Sequence, residues 1–130
     1  MYSTILVPLD GLPRAENILP HVKQLAQRHH SKVILLQVIE PQRHPVSADI
    51  ALPGQEVLER YTEEATKYLA LQRGRLTEVG IETDVLVEHS PVVEGIAKVA
   101  EHENVDLIAM VSSRLGVSQV IYGSVAVQLF

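Results

Sequence analysis

The feature that most constrains this chain is the repetition of short apolar runs separated by longer amphipathic stretches. Residues 3–9 (STILVPL) and 32–39 (KVILLQVI) are β-branched and apolar with almost no alternation. A strand reads this way when both of its faces are covered, as in a parallel sheet flanked by helices. Residues 105–111 (VDLIAMV) form a further run of this kind, whereas 81–87 alternates better and is expected at an edge with one face partly wet. Between the runs, apolar residues recur at helical spacing. From Arg14 onward they are Ala15, Ile18, Leu19, Val22, Leu25 and Ala26, and Pro20 predicts a kink or a displaced helix start. A long helix is expected over 55–79, with Leu58, Tyr61, Ala65, Tyr68, Leu69, Leu76 and Val79 inward and Gly80 as its C′ residue. Ser90-Pro91 opens another, serine as N-cap, with Val93, Ile96, Ala97 and Ala100 inward and Asn104 closing it. The alternation predicts an α/β domain, a parallel open sheet with helices on both faces. In such sheets ligands bind at the carboxyl ends of the strands, where the winding reverses beside the first strand.

Composition narrows the function classes. A length of 130 residues predicts one domain with one core. A net charge of −5 argues against nucleic acid as a partner, because phosphate backbones demand clustered Lys and Arg. No apolar run approaches the roughly 20 residues of a membrane helix, and no basic leader precedes Thr4, so no membrane partner and a cytoplasmic location are expected. There are no cysteines, His29 and His30 are neighbours that do not share a helix face, and no HxxxH spacing occurs, so no metal site is expected. Enzymatic activity is not expected either. The chain lacks a GxxxxGK[ST] loop, and Ser124 has no histidine at a recognisable triad position.

Three stretches carry candidate chemistry. Asp10-Gly11 follows the first strand, at the expected ligand end, although an aspartate there also suits a turn or a helix cap. Residues 40–54 hold Pro41, Pro45, Pro53 and Gly54 and predict a loop of about fifteen residues. The stretch 110–124, MVSSRLGVSQVIYGS, follows an apolar strand and precedes an expected helix, with small hydroxyl residues, one arginine and two glycines between. Small side chains let backbone N–H groups approach an anion, and a helix N-terminus adds positive potential. Arg114 is equally readable as a solvated loop residue, Ser124 as an N-cap, and Tyr61 and Tyr68 as core contacts of one helix face.

ILVPLDG near the start, LLQVIEP after the second strand, the Ser-Pro helix opening, NVDLIAM and the terminal GSVA occur in an order and spacing that resemble the universal stress protein family. The resemblance implies a parallel sheet of order 3-2-1-4-5, adenine-nucleotide alpha-hydrolase-like, in a domain that is frequently dimeric and in some members binds ATP through G-x2-G-x9-G-[S/T]. It implies that Asp10 contacts the ribose and that the Val38 backbone contacts adenine. Gly123 and Ser124 would hold phosphates, with Ser112, Ser113, Arg114 and Gly116 from the preceding loop, and Pro8 and Val125 completing the set. The sequence departs from the motif at its first two glycines, which fall on Met110 and Ser113; if the strands are aligned instead, the loop is one residue shorter and the first glycine falls on Val111 or Ser112. Only glycine reaches positive φ freely and brings backbone to phosphate without a Cβ in the way, so the substitutions weaken that cradle. His89 stands where the family often has glycine, which would put a ring near the ribose. The sequence stops at Phe130, inside the expected last helix. This predicts strand order 3-2-1-4 with the fifth strand missing and strand four left as an open edge, for which a homodimer is the expected cover. The function implied is a cytoplasmic, non-catalytic stress-response protein holding ATP, with Mg2+, at the strand 1/strand 4 crevice. The alternative is a member that binds no nucleotide and acts through dimerisation and protein partners.

Overall fold

The computed structural model describes residues 2–40, 54–111 and 118–122, with 54, 55, 111 and 118–122 described by backbone alone. Five strands, β1 (Thr4–Pro8), β2 (Lys32–Ile39), β3 (Thr83–His89), β4 (Leu107–Val111) and β5 (Ser118–Tyr122), form one sheet in the order β3-β2-β1-β4-β5. The first four pair in parallel, with Ile5 opposite both Val33 and Leu107. Helices α1 (Leu19–His29), α2 (Gly54–Thr77) and α3 (Val92–His102) make the crossovers.

Strand alternation sorts the side chains onto two faces. Ile5, Val7, Val33, Leu35, Leu107 and Ala109 pack with Leu19, Val22 and Ala26 of α1 and Leu69 and Leu76 of α2. Leu6, Ile34, Leu36 and Ile108 pack with Ile96, Val99 and Ala100 of α3. Right-handed crossovers demand this division: β1 to β2 and β2 to β3 step one way along the sheet, β3 to β4 steps back, and its helix therefore lies on the other face. Each fully buried Leu, Ile or Val contributes about 1.5–3 kcal/mol. The parallel, doubly covered sheet read from the apolar runs is the one observed.

The helix boundaries follow local chemistry. A short 3-10 helix, Ala15–Ile18, precedes α1, and Pro20 falls in the first turn of α1, so the proline displaces the helix start and does not kink it. Gly80 has φ +84°, and the amides of Gly80 and Ile81 bond the carbonyls of Thr77 and Leu76, closing α2 as expected. At α3 two expectations are corrected. Pro91, not Ser90, is the N-cap, because the Ser90 hydroxyl donates to the Pro91 carbonyl (3.1 Å) and caps no amide of the first turn. The buried residues of α3 are Gly95, Ile96, Val99 and Ala100, while Val93 is 42% exposed. β3 lies at the sheet edge, as its alternation predicts.

The largest departure concerns β4. Residues 118–122, expected within a loop leading to a helix, form β5, antiparallel to β4, with Val111 opposite Ser118 and Leu107 opposite Tyr122. The expected open edge of β4 is thus covered by the chain itself. The local sequence SQVIY, β-branched and aromatic, has the strand character that this pairing uses.

Candidate functional site

The topology places one opening where the winding reverses. β1 and β2 share five register pairs, from Thr4–Lys32 to Pro8–Leu36, whereas β1 and β4 are paired only at Ile5–Leu107 and Leu6–Ile108. Pro8, at the end of β1, has no N–H to donate, so the strand tips can part there. Beyond Pro8 the chain turns at Asp10-Gly11. The Leu12 amide donates to Asp10 Oδ1 (2.9 Å), and Gly11 takes φ +83°, a conformation that L side chains rarely adopt. The turn presents Asp10 at the carboxyl end of the sheet. The structural role weighed for Asp10 is therefore present, and it uses one carboxylate oxygen.

A cavity of about 460 Å³ opens beside this turn, lined by Asp10, Gly11, Gln37–Glu40, Tyr61, Glu64, Ala65, Tyr68 and Val92. Its walls are the Asp10-Gly11 turn after β1, the end of β2, the α2 residues at positions 61, 64, 65 and 68, which share one helical face, and the start of α3. Asp10 and Val38, two of the residues expected at a site, are thus brought together. Val38 is held there by α3, whose Gly95 comes so close that a Cβ on it would lie 2.9 Å from Val38 Cγ1. Pro8 ends β1 but is not among the lining residues. Ser112, Ser113, Arg114, Gly116, Gly123, Ser124 and Val125 lie outside the described residues. β5 carries the chain away from the cavity, because Tyr122 pairs with Leu107 at the opposite end of β4.

The cavity is rich in acceptors. Three carboxylates line it, from Asp10, Glu40 and Glu64. Glu40 Oε1 accepts the Val92 amide (2.8 Å) at the first residue of α3, where the helix N-terminus favours negative charge. Gln37 Oε1 is buried and has no hydrogen-bond partner among the described residues. The Tyr68 hydroxyl donates to Glu16 Oε2 (2.9 Å). Burial, followed by the bond to Glu16 and the charges of Glu16 and Asp10, pushes that hydroxyl well above the usual tyrosine range.

Several of these residues were not expected at a site. Gln37 is the one polar residue inside the apolar run VILLQVI, and that contrast is the signal it carries. Glu64 shares the spacing of Tyr61, Ala65 and Tyr68. The core reading of the two tyrosines holds in part: Tyr68 packs against the core cluster, while Tyr61, 38% exposed, faces the cavity.

His89 is corrected. Odd-numbered residues of β3 point toward α2, and the ring meets Thr62 of α2 (Nε2 to Oγ1, 2.7 Å) in a separate hollow lined by Leu58, Glu59, Thr62 and Glu63. The Thr62 hydroxyl spends its proton on the Leu58 carbonyl (2.7 Å), so His89 Nε2 is the donor. The ring does not obstruct the Asp10 cavity.

Comparison with known proteins identifies the family. The model of the universal stress protein family matches residues 1–130. The chain belongs to the universal stress protein family. It is 33% identical to universal stress protein MJ0577 of Methanocaldococcus jannaschii over 140 residues, which cover 96% of this chain and 86% of that protein. The solved structure of MJ0577 superposes with a TM-score of 0.75 at 32% identity, covering 88% of this chain and 78% of that one. The universal stress protein UspA of Lactobacillus plantarum (TM-score 0.70, 21% identity, 82% and 74% covered) shares the fold. So does a universal stress protein solved in complex with cAMP (TM-score 0.62, 18% identity, 82% and 74% covered). As a universal stress protein, the chain is a stress-response protein of α/β fold, and no helix among its described residues is long and apolar enough to cross a membrane.

Proposed function

We propose that residues 1–130 form one universal stress domain that binds an adenine nucleotide without transforming it, with the nucleoside portion in the cavity beside Asp10. The observation that carries this reading is the meeting of Asp10 and Val38 in a cavity of nucleoside size, between the Asp10 turn and α2. Its acceptors suit the donors of a nucleoside, a ribose diol and an exocyclic amine, and its apolar wall of Val38, Ala65 and Val92 suits a base. Three carboxylates disfavour phosphates inside it, so the phosphates, with Mg2+, belong outside, toward the chain that follows β4. The cAMP held by one fold neighbour is a property of that protein, but it makes cyclic nucleotides a second ligand to test. A cytoplasmic homodimer completes the reading.

The alternative, a member acting through dimerisation and protein partners without nucleotide, is favoured by one observation. β5 occupies five residues of the stretch that resembles the family's phosphate loop.

The test is a thermal shift of the full chain with millimolar ATP and Mg2+, ADP, cAMP and adenosine. A shift is expected with adenosine-containing ligands. It should be lost in Asp10→Ala and largely lost in Asp10→Asn, which can still accept the Leu12 amide and so separates the turn from the ligand contact. No shift with any of them would refute nucleotide binding and leave the partner-based reading standing.

A further inference from the structure

We propose that Gln37 is a specificity-determining residue of the Asp10 cavity, its Oε1 accepting a hydrogen bond from an N–H or O–H of the bound nucleoside. The inference rests on the nucleoside-binding reading above and adds to it a residue and a discrimination.

Three observations carry it. Gln37 lies in β2, flanked by the buried Leu36 and the half-buried Val38, where an apolar side chain would continue the run. Its Oε1 is buried and unpartnered among the described residues, although buried polar atoms are nearly always bonded. Gln37 is also a lining residue of the cavity, and its amide lies beside Gly11, another lining residue, where a Cβ would approach Nε2 to 3.6 Å. An orphan acceptor in a packed core would be a defect, costing stability with no return. At the wall of a ligand cavity it is a receptor awaiting a donor, and it selects against ligands that lack one, since the acceptor then stays desolvated and unpaired. Three of the other side-chain acceptors are the carboxylates of Asp10, Glu40 and Glu64, whereas Gln37 is a neutral amide. It can bond a base edge or a ribose hydroxyl without adding charge.

The donor has two possible sources on adenosine, the exocyclic amine and the ribose 2′-hydroxyl, and the ligands distinguish them. Binding of adenosine, purine riboside (no amine) and 2′-deoxyadenosine (no 2′-hydroxyl) would be measured by calorimetry on the full wild-type chain, Gln37→Leu and Gln37→Met. Both variants should weaken adenosine about tenfold and leave the affinity of one of the two analogues unchanged, namely the one lacking the group that Gln37 engages. Without ligand, the thermal midpoints of both variants should equal or exceed that of the wild type, because an unpaired buried acceptor has been removed.

Equal loss on all three ligands, or none, would overturn the proposal. So would a lower midpoint in both ligand-free variants, which would show that Oε1 has a partner within the protein. Failure of the wild type to bind any of the three would overturn the nucleoside-binding reading itself, and this proposal with it.

Discussion

Replacing Gly95 by alanine should destabilise the protein, whereas the same replacement at Gly74 should stabilise it, and the contrast tests how closely α3 approaches the site. Both glycines are helical, and alanine gains up to about 1 kcal/mol over glycine in a helix interior. At Gly74, in α2, an added Cβ meets nothing within 4 Å. There the gain is realised, and a domain of this size should melt about 3–4 °C higher. At Gly95 the added Cβ would lie 2.6 Å from Ser90 Oγ and 2.9 and 3.0 Å from the two Val38 methyls. The serine hydroxyl can rotate away. Val38 cannot, because both methyls face the glycine and any other χ1 well still leaves one of them there. Either α3 or β2 must shift, and overpacking of this kind costs about 1–3 kcal/mol. Subtracting the helical gain leaves a net loss of about 1 kcal/mol, or about 3–5 °C. Because Val38 lines the Asp10 cavity, the variant should also bind adenosine more weakly. Differential scanning calorimetry of the two single variants checks the energetics. A midpoint for Gly95→Ala raised as far as that of Gly74→Ala would refute the close packing of α3 on Val38.

Two further outcomes follow from hydrogen bonds that tie distant segments. Asp106 Oδ2 accepts the amides of Ser3 (2.8 Å) and Thr4 (2.9 Å), joining the foot of β4 to the start of β1; Asp106→Ala should cost about 1–2 kcal/mol in urea unfolding, with Asp106→Asn recovering part, and a loss below about 0.3 kcal/mol would refute that role. The raised folded-state pKa of Tyr68 means that the unfolded chain releases the proton first, from pH near 10, so wild-type stability should fall as pH rises above that value. Tyr68→Phe lacks this dependence, and the stability difference between wild type and variant, measured by urea unfolding at pH 9 and pH 11, should narrow at the higher pH.

The fold was legible because its strands are buried on both faces. A continuous run such as VILLQVI has few other uses in a chain of this length, and Gly80 stops α2 for a reason visible in one residue, its positive φ. The boundaries at α3 were less legible. Val93 and Val99 are both apolar, and it is the packing of Gly95 against Val38, with Ile96, Val99 and Ala100 on the sheet, that fixes which stripe of the helix faces in. The candidate site was half legible. Asp10 and Val38 sit on the tips of the two strands that define the sheet, so their meeting follows from topology. Tyr61, Glu64 and Tyr68 come from a helix distant in sequence, and nothing in their local pattern distinguishes a cavity wall from an ordinary amphipathic face. Residues 118–122 were less legible because their short β-branched run lies between hydroxyl and glycine residues that suit a loop equally well.

The placement of β5 bears on how charge is distributed in a bound nucleotide. A polyphosphate carries several negative charges, and the cavity beside Asp10 already holds three carboxylates, of which Glu40 occupies the N-terminus of α3 that would otherwise attract an anion. Phosphates therefore gain nothing by entering. In the nucleotide-binding proposal the phosphates are assigned to the side of the chain after β4, whose described part, β5, runs antiparallel toward the far end of β4. If the phosphates are held only weakly there, most of the binding free energy resides in the nucleoside, and adenosine and ATP should differ little in affinity. Adding salt should then change the affinity for ATP only slightly, since few charge contacts are screened. An affinity for ATP two orders of magnitude above that for adenosine, falling steeply with salt, would instead require a strong phosphate cradle and would refute this division of the site.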